Sequence, residues 1–459
     1  METYEGKSDH PIVKSKVGGS RMFIGLSSFQ MLAMFRRGLF YTFLSIYMRY
    51  YLELTVTQTT LYATLPMVAS SICQMFVWGR ISDRLQKRRT LIIIGEVIAG
   101  ILLLITFWVH RAFDNLTTAG FVIIIGLTVI EVFWSMSNIG WSALVSDLYP
   151  SKERSRVMAQ LTSIGGIGRI LGIFLGGFLY EGFFTFNYEG WGFREGILFY
   201  LAAAAMFLST LPMIFMVPEG GVSSKIDADN ASLTEPQLHV SATDQQNSKE
   251  NSSRLLIIFV IFIISMVFIN FGRNSVAVTY SQYLNIEGLF SVDVNSRMIS
   301  YIANVRSFAT ILVGIFAGRL SKKFGHGITL LIGSAMALFY LFLTAIGSQL
   351  WVIFFGSFLA GASEVIIMAA AYAFAADLIP ETRRAKLFGI YNATFFLSWG
   401  LASTLVTGPL VDSLISQGNS DQFAYQAGFY VGMTITFVGM LIFGGLLFYK
   451  KKKMDIINE

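Results

Sequence analysis

The sequence predicts an all-α, polytopic membrane protein that crosses the bilayer with 12 transmembrane helices arranged as two pseudo-symmetric six-helix bundles. Three observations carry this expectation. Of 459 residues, 54% are apolar, 15% aromatic and only 14% charged, too little polar surface to clothe a water-soluble body. Continuously apolar runs of about 20 residues, the length that spans a bilayer's hydrocarbon, recur along the chain. They do not alternate polar with apolar, so they call for helices and not for barrel strands. Lastly, Gly79-Arg80-Ile81-Ser82-Asp83-Arg84 returns as Gly318-Arg319-Leu320-Ser321-Lys322-Lys323, and Asp147-Leu148-Tyr149-Pro150 returns as Asp377-Leu378-Ile379-Pro380. Two motifs repeated at about half the chain length mark an internal duplication.

A tail over residues 1–21 carries Lys7, Lys14 and Lys16 among acids and glycines, and the apolar run behind it lacks a small-residue cleavage site, so no removable signal peptide is expected. Spans at 22–51, 56–79, 90–110, 117–146, 156–181 and 194–217 form an N-terminal bundle, 22–217. Residues 218–253 turn to Ser, Asn, Gln, Asp and Glu, and a segment so poor in apolar side chains reads as a cytoplasmic linker. Spans at 254–284, 295–318, 328–347, 350–377, 386–413 and 425–449 form the C-terminal bundle, 254–449, followed by a short tail, 450–459.

Of the 34 Lys and Arg, 25 fall on one side of this layout, four (Arg49, Arg111, Arg194, Arg297) on the other, and five inside spans. The positive-inside rule then puts both termini in the cytoplasm of a protein of the plasma or inner membrane, and the net charge of +6 records topology, not a nucleic-acid partner. The lone Cys73 excludes an internal disulfide and a cysteine-based metal site. There is no Gly-x-x-x-x-Gly-Lys-Ser/Thr loop for direct ATP drive, and no His, Cys or Asp cluster at metal or nucleophile spacing. Neither an enzyme nor a cofactor is expected. A receptor or sensor on the same scaffold is the competing class, and the short C-terminal tail speaks against it.

The loop after span two, with Gly79, Asp83, Arg84, Lys87 and Arg88, resembles the Gly-x-x-x-Asp-Arg-x-Gly-Arg-Lys signature of the major facilitator superfamily, with Gln86 where glycine is usual. Its second copy keeps the glycine as Gly325 but has Lys322 in place of the acid. The Asp-x-x-Pro-x-x-x-Arg pattern recurs as Asp147/Pro150/Arg154 and Asp377/Pro380/Arg384. The resemblance implies alternating access by a secondary transporter, commonly monomeric, with these loops locking the cytoplasmic face. Asp83, Arg84, Asp147, Arg154, Asp377 and Arg384 are therefore candidate gating residues, Asp83 meeting a helix N-terminus and Arg84 pairing with Asp147.

Charges inside spans carry the functional reading. Arg36, Arg37, Arg169, Arg273 and Arg306, with Glu96, Glu131 and Glu364, each cost roughly 2.5–3.5 kcal/mol at the bilayer centre and should line a watery cavity or pair with one another. Arg37 and Arg273 occupy equivalent places on the first helix of each half, as do Ser45 and Ser281. The resemblance to superfamily members with such a pair, the organophosphate and sugar-acid transporters, implies that these arginines hold a small anionic solute, and guanidinium forks suit carboxylate or phosphate. Two alternatives stand beside this: neutralisation of each arginine by Glu131 or Glu364 in its own half, and proton-coupled binding of a neutral or cationic solute. Glu131 and Glu364 are the candidate proton-coupling residues. Glu131 shares a helical face with Thr128, Trp134, Ser135, Asn138 and Ser142. Tyr41, Tyr62, Gln74, Asn270, Tyr280, Asn304, Asn392 and Trp399 could shape the pocket. The glycine run around Arg169 predicts a close helix crossing. A multidrug antiporter is disfavoured, because the arginine it carries on span four is missing.

Overall fold

A computed structural model describes residues 16–149, 151–182, 187–220, 242–290, 294–379 and 384–458. Among them are twelve long helices: α1 (Lys16–Ile46), α2 (Val56–Leu85), α3 (Arg88–Arg111), α4 (Leu116–Leu148), α5 (Ser151–Tyr180), α6 (Ile197–Met216), α7 (Ala242–Asn274), α8 (Ser296–Phe324), α9 (His326–Ile346), α10 (Leu350–Leu378), α11 (Leu387–Ser416) and α12 (Asp421–Asn458). Eleven are long and apolar enough to cross a membrane. The exception, α1, carries Arg36 and Arg37 in its middle, which holds its hydropathy down.

Three boundaries differ from the sequence expectation. α7 begins at Ala242, inside the segment read as a linker, of which residues 221–241 lie outside the described set, and α12 runs to Asn458 through the expected tail. Hydropathy registers only the stretch of a helix that sits in lipid, whereas hydrogen bonding carries the helix on into polar ends. The third difference is at the far end of α7. The helix stops at Asn274, turns through 275–279 and resumes as a short helix Tyr280–Leu284, where one continuous span to 284 was expected. Apolar content continues across the break, so no pattern betrays it.

Packing follows from small residues. A Cβ at Gly168 or Gly172 of α5 would collide with the carbonyls of Met31 and Phe35, and one at Gly38 of α1 with the carbonyl of Arg169. α1 and α5 therefore meet backbone to backbone, as the glycine run predicts. The halves touch along α5 against α8, where Gly177 faces Ser300, and along α2 against α11, where Gly400 faces Thr64 and Gly408 faces Thr57.

Among the described residues the hydrogen bonds between the halves are all at one end. Ser45 and Ser281, the duplicated serines, bond to each other at 2.7 Å. Tyr50 donates to the Gln282 carbonyl at 2.9 Å, Gln282 donates to Thr59 at 2.8 Å, Thr64 bonds Thr404 at 2.7 Å, and Asn285 donates to Glu189 at 2.7 Å. Among the described residues no hydrogen bond or ion pair joins the halves at the opposite end, where the basic loops lie. Hydrogen bonds close the first of these ends, and mid-helix Arg37, Arg169, Asn392 and Trp399 are exposed, so the space between the halves opens toward the second.

Candidate functional site

α1 and α4 bring the first cluster together. Arg36 is 4% exposed and inside the N-terminal half, whereas its neighbour Arg37 is exposed although mid-helix. About 100° separates successive residues of a helix, so one guanidinium is turned inward while the other reaches the opening between the halves. Both lie over the Trp134 ring, Cζ 4.7 Å and 4.4 Å from its centroid, a cation–π arrangement. Trp134 in turn donates its indole N–H to Glu96 at 2.6 Å, and Ser137 donates to the same oxygen at 3.0 Å. Trp134 thus fixes two cations and one carboxylate. Arg36 keeps a buried Nε and Nη2 without hydrogen-bond partners. Among the described residues no carboxylate pairs with Arg37 within 4 Å and no hydrogen bond engages its guanidinium. Among the same residues Glu131 likewise forms no ion pair. Arg37 is the cation that acts on it most strongly, and Ser70, which accepts from Gln74 at 2.9 Å, lies beside it. The ion pair of Glu131 with Arg37 weighed from the sequence is therefore not formed.

In the C-terminal half the expected partners are exchanged. Glu364 takes Arg306, Nη2 at 2.9 Å and Nε at 3.3 Å, and not Arg273. Arg273 is 7% exposed, donates its Nε to Asn270 at 3.1 Å and lies 5.4 Å from the Phe395 ring, its Nη2 unpartnered. Asn270 also donates to Thr394 at 3.3 Å, and Asn274 donates to Ser398 at 2.9 Å. The α7 break directly after Asn274 is thereby tied to α11. Equivalence in sequence has not become equivalence in exposure: Arg37 is open and Arg273 is enclosed.

A further cation among those expected to line a watery cavity or to pair sits on the glycine crossing itself. Arg169 of α5 is exposed, makes no hydrogen bond or ion pair among the described residues, and has Glu364 and Arg306 of the other half and Arg37 of its own as its charged neighbours. The glycine crossing holds Gly38 on the Arg169 backbone, so Arg37 and Arg169 stand side by side at one depth. Arg37 and Arg169 are thus the exposed cations of this centre, while Arg36, Arg273 and Glu96 are enclosed within their own halves. The signal available was the glycine run itself, which sets that depth.

The other expected residues are spread around this centre. Tyr41 stacks on Tyr62 with centroids 6.4 Å apart, Tyr280 bonds Ser357 at 2.8 Å, Asn392 and Trp399 are exposed, and Asn138 is half-buried. The Ser142 side chain lies outside the described set. Among the gating candidates, Asp147 pairs with Arg88 (3.5 Å), and not with Arg84, which is exposed. Arg88 also reaches Asp83 (3.5 Å) and Ser82. Arg88 starts α3 and is buried, so it can bridge the loop and the end of α4, whereas Arg84 points outward from the last turn of α2. Asp83 is exposed and Arg154 donates to the Ser146 carbonyl at 2.6 Å. Asp377 faces His326 at 3.8 Å. The Arg384 side chain lies outside the described set.

The family model described as Major Facilitator Superfamily matches residues 26–292 and 262–458. The chain belongs to the major facilitator superfamily. Its fold agrees with solved superfamily-type transporters: the nucleoside transporter NupG (TM-score 0.69, 15% identity, 92% of this chain and 99% of that one) and a D-xylose-proton symporter (TM-score 0.69, 14% identity, 92% and 97%). A bacterial homolog of the human lysosomal transporter Spinster, solved inward-facing, is similar at TM-score 0.65 and 15% identity over 95% and 98%. At these identities the likeness speaks for the fold. A search of curated proteins returned no match. This member of the superfamily is an integral membrane protein with a transporter fold.

Proposed function

We propose that this superfamily protein is a secondary active transporter that moves a small anionic solute by alternating access, with proton coupling through Glu131. The observation that carries the reading is the pair Arg37 and Arg169, two exposed guanidiniums on the crossing turns of α1 and α5 that, among the described residues, have no bonded counter-charge. Permanent charges at mid-depth are costly unless an aqueous space or an anion meets them, and paired guanidinium forks suit carboxylate or phosphate. Arg273, enclosed beside Asn270, serves the same anion from the far wall with its unpartnered Nη2. Glu131 sits unpaired next to Arg37 and takes a proton when the solute claims that arginine; Glu364, bonded to Arg306, is the lesser proton carrier. Tyr41, Asn138, Asn270, Tyr280 and Asn392 complete the pocket.

In this reading the open, basic-loop end faces the cytoplasm, as do the 1–21 and 450–459 tails and the 218–253 linker between bundles 22–217 and 254–449. The protein works as a monomer in the cell membrane, and Asp83, Arg84, Asp147, Arg154, Asp377 and Arg384 belong to the gate at its open end. A second reading, a neutral solute moved with protons, draws on the Glu364–Arg306 bond, which consumes charge within one half. Uptake into proteoliposomes of inorganic phosphate, sugar acids, dicarboxylates and neutral sugars, with and without a pH gradient, separates the two. The anion reading requires transport of an anion that is lost in Arg37→Gln and in Arg169→Gln. Transport restricted to neutral sugars and indifferent to both substitutions would sink it.

A further inference from the structure

Two carboxylates at the closed end make the same contact in opposite directions. Asp412, in the last turns of α11, accepts the backbone N–H of Val56 and of Thr57, each at 2.8 Å, at the N-terminus of α2 in the other half. Glu181, directly after α5, accepts the N–H of Ser296 at 3.0 Å, at the N-terminus of α8 in the other half. α5 and α11 are equivalent under the duplication, and so are α2 and α8. The two receiving helices are also prepared alike. Thr55 caps the third amide of α2, Gln58, at 3.2 Å, and Asn295 caps the third amide of α8, Met298, at 3.0 Å. Each helix thus satisfies its third amide locally and leaves its first for a carboxylate from across the interface. Exposed amides and the positive end of the helix dipole make this a favourable seat for negative charge.

We propose that Asp412 and Glu181 are gating residues, a reciprocal pair of inter-half caps whose release is required for this end to open. The proposal rests on the alternating-access reading and not on the identity of the solute. When the halves part here, both carboxylates and three helix amides must trade their mutual bonds for water, so the pair biases the protein toward the state closed at this end.

Cysteines at Ser45 and Ser281, whose hydroxyls are 2.7 Å apart, report closure without any solute, since a disulfide needs their Cα atoms within about 7 Å. In a Cys73→Ser background, Asp412→Asn and Glu181→Gln each lower the rate of oxidative cross-linking severalfold. Val56→Pro lowers it too: proline suits the first position of a helix and removes one amide while leaving Asp412 in place. A purely structural role would reduce thermal stability yet leave the folded protein cross-linking at the parental rate. That parental rate, in monodisperse Glu181→Gln and Val56→Pro protein, overturns the proposal even if Asp412→Asn is not recovered folded. Failure of anion uptake with the cross-linking shift intact would strike the solute reading alone.

Discussion

Replacing Glu364 with glutamine should weaken the fold and tighten anion binding at once, two effects of opposite sign from one neutralised charge. The carboxylate binds Arg306 through two nitrogens, at 2.9 Å and 3.3 Å, with side chains 27% and 24% exposed. Breaking a fully buried pair by removing one partner costs about 3–5 kcal/mol, and an exposed pair is worth about 0–1 kcal/mol. A pair about a quarter exposed falls between, at about 2 kcal/mol. The same carboxylate lies in the field of Arg273 and Arg169, where it competes with any incoming anion. Removing a like charge at roughly 8 Å across a partly wet cavity of effective dielectric about 40 relieves about 1 kcal/mol, roughly a fivefold gain in affinity. Denaturant unfolding in detergent reads the first quantity, and equilibrium binding of phosphate or a simple carboxylate reads the second. Adding Arg306→Gln should return much of the lost stability, because the stranded guanidinium goes with it. A Glu364→Gln protein that binds anions more weakly, or unfolds as the parent does, refutes the electrostatic argument.

Other consequences can be checked together. Arg88→Gln should slow turnover and cost about 1–3 kcal/mol of stability, since buried Arg88 joins Ser82, Asp83 and Asp147, whereas exposed Arg84→Gln should change stability by no more than about 0.5 kcal/mol; thermal melts and initial transport rates rank the two. Gly172→Ala should abolish recovery of folded protein because its Cβ would strike the Phe35 carbonyl. Gly318→Ala, with nothing within 4 Å, should be neutral or stabilise by up to about 1 kcal/mol, as read by fluorescence-detected size-exclusion after heating. At the closed-end surface, hydrogen bonds from Tyr188 and then Arg111 hold the Glu195 carboxyl below its usual 4.5. A depressed carboxylate contributes stability above its unfolded value and loses it as pH falls through the folded one. The gap in stability between wild type and Glu195→Gln should therefore shrink below about pH 4.5 and stay constant above it, in pH-dependent melts.

The twelve helices could be read from the sequence because crossing hydrocarbon demands long apolar runs, and the bundle plan because duplicated motifs survived in the loops. The duplication even placed Ser45 opposite Ser281 on the pseudo-symmetry axis. What the pattern could not supply was the partner of each charge. Glu364 lies at the depth expected for pairing with Arg273, but the rotation of α8 brings Arg306 closer, and helix rotation is set by side-chain packing that no periodicity encodes. Arg84 and Arg88 are one helical turn apart in type and spacing, yet the αL backbone at Gln86 (φ 53°) separates their helices and sends only Arg88 inward. The glycines around Arg169 read as packing and are packing, while its exposed side chain belongs with the charges that the sequence placed beside water or a partner.

The backbone seam between α1 and α5 has a mechanical consequence. Because glycines lock the two helices carbonyl against Cα, Arg37 and Arg169 ride on a single rigid plate, and their mutual spacing survives any rocking of the halves. In the proposed alternating-access cycle, the gap from that plate to Glu364 on the opposite wall is the distance that changes. An anion clipped between the two cations would travel as a fixed passenger of the N-terminal half, with the far wall approaching and receding like the jaw of a vice.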